Sequence, residues 1–144
     1  KEKALEKDPE NVGYHNSLGV TLHEMGCYEE AKKEKEKALE KDPENVGYHN
    51  SLGVTLHEMG HYEEAKKEYE IALEKGSEKA VYHFNLGITL HKMGRYEEAK
   101  KEIERAIELE PDNKKYQASL KITLDKMSGV DKTNTPVKKN NPAN

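Results

Sequence analysis

Lys1–Glu34 reads KEKALEKDPENVGYHNSLGVTLHEMGCYEEAKKE, and Lys35–Glu68 is the same 34 residues again with His61 in place of Cys27. Tyr69–Glu102 keeps 22 of the 34 positions, so the period persists while the sequence drifts. A fixed period of this length is the signature of a stacked repeat architecture, in which each unit buries its apolar face only against its neighbours. The composition agrees. With 33% hydrophobic and 36% charged residues and a mean hydropathy of −1.08, a single globular core would be thin.

Inside each copy the apolar residues recur at helical spacing. Val12, His15, Leu18, Leu22 and Met25 mark one amphipathic helix, closed by Gly26 as a C-terminal glycine. A second helix is expected from Tyr28 to about Lys41, with Tyr28, Ala31, Ala38 and Leu39 inward and Glu/Lys pairs on a solvated face. The pair repeats over Val46–Gly60 with Tyr62–Lys75 and over Ala80–Gly94 with Tyr96–Glu110. Asp8-Pro9-Glu10-Asn11 and its copies stop one helix and cap the next.

The predicted organisation is residues 1–11 as a truncated second helix, repeats over 12–45, 46–79 and 80–113, a capping helix over 114–128 and a flexible tail over 129–144. Tyr116, Leu120, Ile122, Leu124 and Met127 form the apolar face of that cap. A chain that begins on Lys within a helix is expected to be a fragment. Its orphan first helix leaves an edge through which self-association is expected.

Two helices in 34 residues resemble the tetratricopeptide repeat, whose pattern runs W-x2-L-G-x2-Y, then A-x3-F, then A and P. Leu18-Gly19, Leu52-Gly53 and Leu86-Gly87 match its Leu-Gly step. Ala31, Ala65 and Ala99 match the first Ala, Ala38, Ala72 and Ala106 the second, and Pro43 and Pro111 the closing Pro. The resemblance implies an all-α, right-handed α-solenoid of antiparallel helix pairs. Departures from the pattern are informative. His15, His49 and His83 replace the opening aromatic as packed rings, with a pH-sensing role as the sharper alternative. Gly76-Ser77 replaces a closing Asp-Pro, so a looser joint is expected there. At the Phe position stand Lys35, Tyr69 and Ile103. Lys35 reads as an edge residue carried inward by duplication, with its amine expected to snorkel to water.

His57-Glu58-Met59-Gly60-His61 spells H-E-x-x-H, the zinc-protease motif, which needs both imidazoles on one unbroken helix. Gly60 ends the helix, and the parallel copies read HEMGC and HKMGR. The match is therefore read as accidental, with no metal site and no cofactor. Cys27 sits in a turn beside no base, and no Ser/His/Asp set or phosphate-binding glycine loop occurs, so no catalytic residue is assigned. Tyr14, Tyr48, Tyr82 and Tyr116 are read as inter-repeat packing, and Met25, Met59, Met93 and Met127 as core.

The resemblance further implies a concave groove built from the first helix of each pair. Its candidate residues are Asn16, Val20 and His23, their copies Asn50, Val54 and His57, and Phe84, Asn85, Ile88 and His91. Ala118, Ser119 and Ile122 of the last helix extend it. The expected function is non-enzymatic binding of a peptide or protein segment; the alternative is a structural or engineered repeat scaffold without a selected ligand. A carboxylate clamp of the chaperone-binding type is not expected, since only Asn85 and Lys115 fall at matching places. An unbroken Asn ladder is also absent, the row reading Ser17, Ser51, Asn85 and Ser119. A net charge of −4 with no basic stripe argues against nucleic acid and anionic membrane partners. One cysteine makes no intramolecular disulfide, and a cytoplasmic location is expected.

Overall fold

A computed structural model describes residues 11–76 and 78–129. The described residues contain seven helices, α1 (Val12–Glu24), α2 (Tyr28–Lys41), α3 (Val46–Glu58), α4 (Tyr62–Lys75), α5 (Ala80–Lys92), α6 (Tyr96–Leu109) and α7 (Lys114–Met127). The described residues contain helices and turns only, so the fold class is an all-α helical repeat. The expected orphan helix over 1–11 lies almost wholly outside the described residues, as does the tail beyond Gly129. The chain divides into two compact units, one ending at Glu78 and the other beginning at Lys79. The division falls beside Gly76-Ser77, where the sequence departs from its closing Asp-Pro. Among the described residues no helix is long and apolar enough to cross a membrane.

Local chemistry explains where each helix starts and stops. Asn11, Asn45 and Asn113 cap α1, α3 and α7, each side chain accepting the backbone N–H of Tyr14, Tyr48 or Tyr116 and so satisfying a donor with no intrahelical partner. Lys79 precedes α5 without a side-chain cap. At the other end, Gly26, Gly60 and Gly94 take φ of 84°, 83° and 80°, a left-handed conformation that side chains disfavour. There Cys27 N–H donates to Leu22 O and Gly26 N–H to His23 O, at 2.8 and 2.9 Å; His61 and Gly60 repeat the pattern on Leu56 and His57, as do Arg95 and Gly94 on Leu90 and His91. This paired closure is the Schellman arrangement. It turns the chain within three residues, so the two helices of a pair run antiparallel.

Close approach of the paired helices follows from small residues. Ala31, Ala38, Ala65, Ala72, Ala99 and Ala106 are fully buried on the second helices. A Cβ added at Gly19, Gly53 or Gly87 would stand 2.6–2.7 Å from Lys35 Cγ, Tyr69 Cε1 or Ile103 Cγ1 respectively. The Leu-Gly step therefore seats one large side chain from the second helix. Gly76 is likewise a close-packing residue, with the Val46 side chain filling the space its Cβ would need. In the second unit Ala80, Phe84, Ala106 and Tyr116 form a core onto which Ile88 and Ile107 pack. Phe84 and Tyr116 stack with ring centroids 4.5 Å apart.

Three expectations require correction. All four methionines stand at the C-terminal end of a helix, where the chain turns at the surface: Met25 is 68% exposed and Met127 38%, and Met59 and Met93 are half-buried. The apolar face assigned to α7 is also largely in solvent, with Ile122 at 42% and Leu124 at 40%. Tyr116 and Thr123 are the residues that α7 buries. Finally, Lys35 does not snorkel. It is buried, its stem lies over Gly19, and its amine donates to Ser51 O at 2.9 Å and Thr55 Oγ1 at 2.7 Å.

Candidate functional site

Within α1 the residues Asn16, Val20 and His23 are separated by four and three positions, which puts them on one helical face. The same spacing recurs in Asn50, Val54 and His57 of α3. Val20 is 37% exposed, while Val54, Asn16, Asn50, His23 and His57 are half-buried. His23 ties α1 to α3 through a 2.9 Å hydrogen bond between its Nδ1 and Thr55 Oγ1. Its ring also meets Tyr28 edge to face at 5.0 Å, and His57 meets Tyr62 likewise at 5.1 Å. Among the described residues the buried Oδ1 of Asn16 has no hydrogen-bond partner.

The second unit repeats this arrangement on its own helices. His91 Nδ1 lies 2.9 Å from Thr123 Oγ1 and joins α5 to α7, with Tyr96 edge to face at 5.0 Å. Asn85 and Ile88 are half-buried. Phe84 differs from the other candidates: it is buried against Tyr116, with Lys115 Nζ 5.4 Å from its ring centroid. Its role in the unit is packing.

The charged groups around the two bridges differ. Burial lowers the pKa of both histidines; the Lys35 charge adds to that effect at His23 while Glu58 and Glu24 oppose it, and Lys126 and Lys92 add to it at His91. Burial pushes Lys35 itself down to about 8. In the second unit Ile103 occupies the repeat position of Lys35. The threonines match no motif in the sequence, yet Thr55, Thr89 and Thr123 recur at the repeat period and are fully buried. A polar residue recurring on an otherwise apolar face was the available signal.

The other histidine row has a different task. His15, His49 and His83 place Nδ1 at 2.8, 2.7 and 2.7 Å from Glu34, Glu68 and Glu102, linking the first helix of each pair to the second. His49 Nε2 also lies 2.8 Å from Pro43 O. These rings are packed or half-buried where the family pattern has an aromatic.

His57 and His61 do not share a helix: α3 ends at Glu58, Gly60 is left-handed, and His61 is the residue before α4. Its imidazole pairs with Glu64 at 3.3 Å. Among the described residues no group of three or more His, Cys, Asp or Glu side chains could hold a metal ion. Cys27 is a half-buried free thiol at the start of α2.

Short antiparallel helix pairs, a glycine seating one large side chain, and closely packed alanines define a helical-repeat protein of the two-helix, 34-residue class. Family models described as tetratricopeptide repeat match residues 80–113 and residues 2–33 and 36–67, more than half of the chain between them. The chain belongs to the tetratricopeptide repeat family. Among solved structures it is similar to YrrB, described as a TPR protein with an unusual peptide-binding site, at 25% identity and a TM-score of 0.76, over 88% of this chain and 65% of that one. It is similar to pilF of Pseudomonas aeruginosa at 27% identity and a TM-score of 0.78, covering 88% of this chain and 58% of that one. The first TPR of Spaghetti (RPAP3), solved with the HSP90 peptide SRMEEVD, shares the fold at 22% identity and a TM-score of 0.78, over 81% and 92% of the two chains. The chain thus spans less than two thirds of the YrrB and pilF chains. No curated protein matches it.

Proposed function

We propose that this chain is a non-enzymatic interaction module that binds an extended peptide or protein segment on the exposed face of its first helices. The observation that carries this reading is the β-branched residue left in solvent on that face of each unit, Val20 at 37% and Ile122 at 42% exposed. Each stands among half-buried polar groups, Asn16 and His23 in one unit and Ser119 in the other. An extended segment supplies what such a face lacks: apolar side chains to cover the β-branched residues and backbone groups to pair with amides and imidazoles. The peptide-binding site named for YrrB supports the same class of ligand. Because the first two copies are nearly identical, the subsite of α1 recurs on α3, which favours ligands with repeated side chains through effective concentration. The setting we assign is cytoplasmic.

The near-identity of Lys1–Glu34 and Lys35–Glu68 favours a second reading, a repeat-amplified scaffold without a selected ligand. Selection of random displayed peptides on the intact chain, with Val20→Glu and Val54→Glu as a counter-screen, separates the two. Enriched sequences that lose binding to the double variant support the module. Selection without enrichment, or enrichment indifferent to both substitutions, supports the scaffold.

A further inference from the structure

Thr55 Oγ1 lies between two partners, Lys35 Nζ at 2.7 Å and His23 Nδ1 at 2.9 Å. The donor inventory restricts how three groups share it. An ammonium only donates, so Thr55 must accept from Lys35. The hydroxyl then has one proton to place. Its usual helical acceptor, the carbonyl four residues back, is Ser51 O, which already receives the Lys35 amine at 2.9 Å as well as the helical N–H of Thr55. With both lone pairs of that carbonyl engaged, the acceptor left to the hydroxyl is His23 Nδ1. An ammonium beside Thr55 also opposes a second N–H pointed at the same oxygen.

We propose that Lys35, acting through Thr55, holds His23 as the neutral tautomer with its proton on Nε2, so that this nitrogen is a fixed hydrogen-bond donor on the α1 face for a peptide carbonyl. His23 Nε2 makes no hydrogen bond among the described residues, and its ring is half-buried. Tyr28 meets the ring edge to face and limits its rotation. The charged groups acting on the ring are Lys35 of α2, Glu24 of α1 and Glu58 of α3; burial and Lys35 favour the neutral form, and the two carboxylates oppose them. Lys35 is here a positioning residue, since it acts through Thr55. A neutral N–H donor suits an uncharged acceptor, and it distinguishes a mid-chain peptide carbonyl from a terminal carboxylate, which a cation would attract more strongly.

The second unit supplies an internal control. His91 and Thr123 reproduce the 2.9 Å bridge, but Ile103 replaces the lysine and packs over Gly87. Thr123 is then free to donate to its own helix and accept from His91. At the threonine itself the lysine is what distinguishes the two bridges, while the more distant charges also differ, Glu24 and Glu58 facing His23 and Lys92 and Lys126 facing His91.

This inference deepens the proposed peptide-binding face but is tested without any ligand, so the two fail separately. Long-range proton–nitrogen correlation spectra of the 15N-labelled chain at pH 7.5 report the tautomer of each histidine. His23 is expected as a single Nε2–H form and His91 as a mixture of both tautomers. Lys35→Met should convert His23 to a mixture and leave His91 unchanged. Thr55→Val should do the same with the lysine retained, while Thr55→Ser preserves the single form. Native helical circular dichroism confirms that each variant has folded. A mixture or an Nδ1–H form at His23 in the parent chain overturns the proposal. So does a His91 locked as firmly as His23, or a His23 tautomer that ignores both substitutions.

Discussion

Tyr69 lies so close over Gly53 that a Cβ on the glycine would stand 2.6 Å from Cε1 and 2.9 Å from Cδ1 of the ring. The ring is buried and rigid, so relief requires the two helices of the pair to move apart. Gly53→Ala should cost about 1–3 kcal/mol, despite the better helix propensity of Ala. Gly47 is the opposite case, exposed and with only Asn45 Oδ1 near at 3.4 Å. Gly47→Ala should stabilise by about 0.5 kcal/mol. Urea midpoints of the two variants check the contrast, and equal shifts would contradict the seating of Tyr69.

Lys35 occupies the position that Tyr69 and Ile103 fill in the later copies, and among the described residues its buried amine bonds a carbonyl and a hydroxyl and no carboxylate. Lys35→Tyr should raise the melting temperature, by about 1–3 kcal/mol in free energy, since replacing a buried charge by a well-packed apolar group removes its desolvation cost. The pH dependence follows from its lowered pKa. Folded Lys35 releases its proton near pH 8 and the unfolded residue near 10.5, so between these values the unfolded state binds more protons and stability rises with pH. The advantage of the Lys35→Tyr variant should be full below pH 8 and shrink through that window. Thermal scans from pH 7 to 10 measure it, and a gap that widens with pH would refute the buried ammonium.

Glu34 has the opposite sign. Burial pushes its carboxyl up, but hydrogen bonds from His15 and Lys37 outweigh burial and leave the pKa below the ordinary 4.5. A depressed carboxyl contributes stability above the unfolded value and loses it as pH falls through the folded one. Glu34→Gln should therefore be less stable than the parent at pH 7, with the difference vanishing below the carboxylate range. Melting temperatures at pH 7 and pH 3 provide the test.

Caps supply a fourth contrast. Asn45 Oδ1 accepts from Tyr48 N at 3.0 Å, and Asn45→Ala should cost about 1 kcal/mol. Lys79 occupies the equivalent place before α5 without a side-chain cap. Lys79→Asn should stabilise the second unit by about 0.5–1 kcal/mol, measured by urea unfolding; a loss would mean that the position cannot adopt the capping geometry.

What the sequence alone determined about this protein is whatever depends on neighbours within one turn or one helix. The period, the seven helices, the Asn caps and the glycine turns all belong to that class, because caps and left-handed glycines act on groups two to five residues away. That His57 and His61 of H-E-x-x-H do not share a helix was legible for the same reason: Gly60 breaks the helix locally. Only the tertiary structure decided the fate of side chains whose partners sit on another helix. The Lys35 amine reaches Ser51 and Thr55, His23 reaches Thr55 across 32 positions, Phe84 stacks on Tyr116, and Met25 meets water. Apolar periodicity tells which face turns inward. It does not tell which polar atom waits there, and for a buried amine or imidazole that atom decides charge, tautomer and contribution to binding.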